Sequence, residues 1–210
     1  MADRSREFAS LRGGRVESWI GVEWALRENL AGSRRQFDDP EVPCRQLRGL
    51  QATLDDGHAF SVRTYQHDTV FGLWHAPGAE LQAKLQNAEL WDGVTRWRSL
   101  SELPTGMVDR VIVVADEVDD VLAEVHLRIG GQSLLLMAGE LIETVEGGLS
   151  FHRLDESVLA FTDPAAAKQI CVERRLADDA QARGWDRGVQ RHHRIGDRIR
   201  QLLDELGEPL

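Results

Sequence analysis

Twelve residues near the start, LRGGRVESWIGV from Leu11 to Val22, return 92 residues later as LPTGMVDRVIVV, Leu103 to Val114. Both read Leu-x-x-Gly-x-Val-acid-x-apolar-Ile-x-Val without a gap. A chain that writes one unit twice is held to a doubled architecture, so this repetition limits the fold more than composition does.

Three further matches follow in the same order. LDDGHAFSV (Leu54 to Val62) stands against LRIGGQSLLL (Leu127 to Leu136). In each, apolar residues alternate on both sides of an Asp-Gly or Gly-Gly turn, the signal of a β-hairpin. DTVFGLWHAPGAELQ from Asp68 stands against DESVLAFTDPAAAKQ from Asp155, 87 residues on. This segment reads as a strand, a loop and a proline opening a helix, with Pro77 and Pro164 at the first helical position and Asp163 as an N-cap. Finally AELWDGVTR (Ala88 to Arg96) stands against ARGWDRGVQR (Ala182 to Arg191). Trp91 and Trp185 recur there, and the expectation is that each plugs the junction of helix and sheet.

The fold expected is α+β and mainly antiparallel β: a tandem duplication of a β-meander-plus-helix unit, followed by a C-terminal amphipathic helix. The first unit takes residues 1–98, with strands near 15–27, 45–55, 58–66 and 69–75 and a helix near 77–90. The second takes residues 99–186, with strands near 107–115, 120–129, 132–138, 140–146 and 156–162 and a helix from Pro164 to about Ala182. Residues 187–210 form the basic C-terminal helix. The two units are expected to pack as one globular body.

With 210 residues the chain can bury a generous core without disulfides or metals. It is 42% hydrophobic and 29% charged, ordinary for a soluble globular protein. No apolar run reaches the roughly 20 residues needed to span a bilayer. The opening MADRSREF lacks the apolar stretch of a secretory signal. With two cysteines, Cys44 and Cys171, a reduced, cytoplasmic setting is the expectation. The net charge of −10 disfavours nucleic acid and membranes and favours a basic partner.

That charge is uneven. Five arginines and one aspartate between Arg187 and Arg200 make a local +4, which leaves −14 for the rest. Ile195, Ile199, Leu202, Leu203 and Leu206 follow a helical apolar stripe. Together with Arg191, Arg194 and Arg198 they make this tail a candidate contact, either within the chain or as a homodimer.

Catalytic motifs are missing from the sequence. His192 and His193 are neighbours, so on a helix they point about 100° apart and grip one metal poorly. No His-Glu-x-x-His, Cys-x-x-Cys, phosphate-binding glycine loop or Gly-x-Ser-x-Gly elbow is present, so neither metal nor cofactor is expected. Two constellations carry the candidate site residues. The hairpin TYQHDTVFGLWH gathers Tyr65, His67, Asp68, Trp74 and His75, either as an aromatic binding edge or as a His–carboxylate acid/base pair. The second is acidic: Asp38, Asp39 and Glu41 in one loop, with Asp116, Glu117, Asp119 and Asp120 in its counterpart. Two such acidic lips would steer a basic partner.

The function expected is therefore non-enzymatic protein binding. In composition alone the chain is similar to small acidic immunity or antitoxin-like proteins that cap basic toxins, with no shared motif. The alternatives are a small-molecule enzyme or ligand-binding protein with its site in the groove between the repeats, and a nucleic-acid role through the basic tail.

Overall fold

The computed structural model describes residues 2–24, 42–68, 70–76, 95–116, 120–143, 149–152, 156–163 and 165–167. The chain divides into two compact units, Met1–Ile170 and Cys171–Leu210, and every described element belongs to the first. The helix expected near 77–90 and the C-terminal helix lie outside the described residues, as do Trp91, Cys171 and Trp185.

The described residues form the helix α1 (Ala2–Ala9) and the strands β1 (Arg15–Trp24), β2 (Arg45–Leu54), β3 (Ala59–His67), β4 (Val70–Ala76), β5 (Thr95–Ser99) and β6 (Gly106–Asp116). They continue with β7 (Val121–Ile129), β8 (Gln132–Ala138), β9 (Glu140–Glu143), β10 (Leu149–His152) and β11 (Val158–Phe161). All strand pairs are antiparallel. The expected strands are present within a few residues; α1, β5 and β10 are additional. Residues 165–167 are helical, and Asp163 Oδ1 accepts a hydrogen bond from the Ala165 N–H at 2.9 Å, the cap expected there. Among the described residues no helix is long and apolar enough to cross a membrane.

Six strands close a barrel in the order β1-β2-β11-β8-β7-β6, with β6 returning to β1. The closing contact is short: Arg15 stands opposite Met107 and Val16 opposite Gly106. Two barrel strands divide their second edge between two neighbours. β2 pairs with β11 over Arg45–Leu47 and with β3 over Leu50–Thr53. β1 pairs with β6 over Arg15–Val16 and with β5 over Ile20–Trp24. The β3–β4 hairpin therefore leaves the barrel, and β4 comes to lie against β7.

The ladders β1–β2 and β6–β7 are alike in detail. Val16 opposes Leu54 where Val108 opposes Ile129, and Ile20 opposes Gln51 where Ile112 opposes His126. The register breaks between Val16 and Ser18 and between Val22 and Glu23 in one ladder. In the other it breaks between Val108 and Arg110 and between Val114 and Ala115. The hairpin turns differ by one residue: Asp55-Asp56-Gly57 in the first and Gly130-Gly131 in the second, with φ positive at all three glycines. Gly130 also lies so close to Thr105 that a Cβ would stand 2.4 Å from the Thr105 carbonyl oxygen.

Alternation puts Leu47, Leu50, Val108, Val125, Leu127, Leu134 and Leu136 into one continuous core, each at most 3% exposed. Each such side chain contributes about 2 kcal/mol by leaving water. Trp19 enters the same core, and its Nε1–H donates to the Pro104 carbonyl at 2.8 Å. An eight-residue helix is marginal alone, so α1 depends on Phe8, fully buried with its ring edge-on to Phe60 at 5.5 Å.

Candidate functional site

The β3–β4 hairpin spreads its candidate residues rather than gathering them. His67 is exposed at the tip, opposite Val70, and Asp68 occupies the turn with φ +51. His75 stands opposite Val62, five rungs from the tip, about 16 Å along the strand. Its ring packs on Phe60 at 4.2 Å, and burial holds its pKa below the ordinary value. Tyr65 is half-buried beneath the Arg4 guanidinium, 3.6 Å from the ring centroid. Its hydroxyl is buried and has no hydrogen-bond partner among the described residues. Trp74 is half-buried opposite Arg63. The two histidines of this hairpin thus stand at opposite ends of a ladder, with Asp68 beside His67 only.

Of the acidic lips, Asp116 ends β6 and Asp120, with φ +50, leads into β7. Asp38, Asp39, Glu41, Glu117 and Asp119 lie outside the described residues, as do Arg191, Arg194, Ile195, Arg198, Ile199 and Leu202.

A charged cluster that the sequence reading missed sits where β1, β2 and β5 meet. Glu23 is 3% exposed. Arg98 donates to it through Nε (2.8 Å to Oε2) and Nη2 (2.9 Å to Oε1), and Arg96 Nε donates at 2.6 Å. Arg98 Nη1 also reaches Glu102 at 3.0 Å, and Arg45 Nε lies 2.9 Å from Glu102. Burial, the largest single influence, opposes the charge on Glu102, but the hydrogen bond from Arg98, a backbone hydrogen bond and the charges of Arg98 and Arg45 together hold the carboxyl below its ordinary pKa. Glu102 and Glu23 in turn raise the Arg98 pKa further. The signal was Arg96-Trp97-Arg98: alternate arginines on a strand share a face and call for a carboxylate.

Neighbouring chemistry is quiet. Burial pushes the Cys44 thiol up to about 12, so it is a thiol and not a nucleophilic thiolate at neutral pH. Among the described residues no group of three or more His, Cys, Asp or Glu side chains is arranged to hold a metal ion.

The surface feature that stands apart is β6. From Arg110 to Asp116 it pairs with β7 on one edge, and among the described residues no strand pairs with the other. Ile112 and Val114 point outward, 39% and 37% exposed, while Val111 and Val113 pack against the core. On β1 the matching stretch is covered by β5, and Val22 opposite Trp97 is only 6% exposed. Beside Ile112, on β7, His126 Nε2 lies 2.9 Å from Glu124 Oε2.

No family model, no curated protein and no solved structure matches this chain.

Proposed function

We propose that this chain is a non-enzymatic protein-binding module, a tandem duplicate of a four-strand meander that accepts an extended strand along the open edge of β6. The duplication draws support from the shared register of β1–β2 and β6–β7 and from bulges at matching positions. It pairs β1 with β6, β2 with β7, β3 with β8 and β4 with β11. The observation that carries the binding reading is the contrast between the two copies. Val22, on the strand that pairs with β5, is 6% exposed, whereas Val114, its counterpart, is 37% exposed.

An apolar edge without proline or lysine is a template for another strand, and proteins normally blunt such edges. Val111-Ile112-Val113-Val114-Ala115 carries neither device. Strand addition uses the main chain for affinity and alternate side chains for choice of partner.

Labelled peptides of alternating apolar and basic residues test the reading. Saturable binding should slow hydrogen exchange at the amides of residues 111–115 and vanish in Ile112→Lys. Unprotected amides at saturating peptide would sink it.

A second reading concerns the sign of the partner. The net charge is −10, and Asp116 and Asp120 flank the end of the same edge. A basic partner, capped in the manner of immunity-like proteins, would associate faster at low salt. A salt-independent association rate would remove the steering role.

A further inference from the structure

We infer that the strand taken up by β6 is β6 of a second copy, in an antiparallel, twofold pairing centred on Val113. The inference rests on the strand-binding reading above and names its partner.

Its basis is self-complementarity. With Val113 opposite its own copy, Ile112 stands opposite Val114 and Arg110 opposite Asp116, each pair occurring twice. Even-numbered residues share the outer face, so the apolar pair and the charged pair form one continuous strip. Ile112 and Val114 are the residues left 39% and 37% exposed in the single chain.

Arg110 supplies the second argument. Its cross-strand neighbour on β7 is Arg128, and both are exposed. Among the described residues neither has an ion-pair partner. Two adjacent guanidiniums repel, and a carboxylate from across the edge relieves both. In the other copy the added strand is also held by charge across the edge, with Arg96 and Arg98 of β5 on Glu23 of β1. The register break beside Asp109 bounds the stretch at Arg110, and the second break, between Val114 and Ala115, places its extra residue on β7, so β6 itself keeps alternating from Arg110 to Asp116.

Sedimentation of the full chain at micromolar concentration, with charge-exchanged variants, tests this. The wild type should be a dimer, and Ile112→Lys should be a folded monomer, checked by its thermal midpoint. Arg110→Asp alone and Asp116→Arg alone should each weaken the dimer about tenfold, because two attractive pairs become two repulsive ones. The double variant Arg110→Asp/Asp116→Arg should recover the wild-type constant. A dimer indifferent to Ile112→Lys, or a double variant as weak as either single one, overturns the inference. A wild-type monomer whose β6 amides are still protected by peptide overturns the second copy while sparing the strand-binding reading. A monomer without that protection sinks both.

Discussion

Arg98 holds both carboxylate oxygens of Glu23, at 2.8 and 2.9 Å, although Glu23 is only 3% exposed. The two residues lie 75 positions apart, and their contact pins β5 to β1. Removing one member of a buried charge pair leaves the other without compensation. Here the guanidiniums retain partial access to water, with Arg98 27% exposed and Arg96 35%. Glu23→Ala should therefore cost about 3 kcal/mol, the low end for a broken buried pair. Urea unfolding monitored by tryptophan fluorescence measures it, and a loss below about 1 kcal/mol would reduce the cluster to a surface network.

Glu102 gives a pH dependence of known sign. Its folded pKa lies below the ordinary 4.5, so as pH falls the unfolded chain binds its proton first. The stabilisation is complete above that value and is lost as pH drops through the folded pKa. Glu102→Gln should accordingly show a flatter stability profile than wild type from about pH 5 to pH 3. Parallel profiles would remove Glu102 from the acid response.

His75 acts in a higher window. Burial against Phe60 depresses its pKa from 6.5, so the unfolded state again takes up the proton first. Its contribution is whole above 6.5 and fades as pH falls through the folded value. Replacing it in His75→Phe should flatten the change in thermal midpoint between about pH 7 and pH 5. His67→Phe, exposed at the hairpin tip, serves as the control.

The Gly130-Gly131 turn separates strain from collision. Both glycines have positive φ, +55 and +81, but a Cβ on Gly131 meets nothing within 4 Å, whereas one on Gly130 meets Thr105 O at 2.4 Å. Gly131→Ala should cost about 1 kcal/mol, the conformational part alone. Gly130→Ala adds displacement of main chain and should cost about 3 kcal/mol. Equal losses in denaturant titrations would mean that Thr105 yields freely.

Much of the sheet was legible because its signals are local. Alternation in Val121, Ala123, Val125 and Leu127 and the turns at Gly57 and Gly130-Gly131 mark strands directly, and Asp163 marks the helical turn that it caps at Ala165. The strand β5 was missed because Thr-Arg-Trp-Arg-Ser has the polarity of a loop until Glu23 stands beside it. The helix α1 was missed because it rests on one fully buried side chain, Phe8. The histidines of the β3–β4 hairpin looked like a set because they are close in sequence. Along a strand, eight positions separate His67 from His75 by a turn and the length of β4, and only pairing reveals how far apart they end. The edge of β6 that no strand pairs with among the described residues had no sequence mark at all, since Val-Ile-Val-Val reads the same beside a neighbour or without one.

The barrel is sealed by β11, a four-residue strand wedged between β8 and β2. Residues 55–157 stand between β2 and β11, so β2 is made well before it. On a ribosome adding roughly 5–20 residues per second, β2 would wait several seconds or more for Phe161 to be synthesised. Through that interval the early hairpin holds an unfilled edge and half a core, the state in which a nascent β chain is most exposed to wrong partners. The last few residues of the barrel thus decide when the first ones become safe.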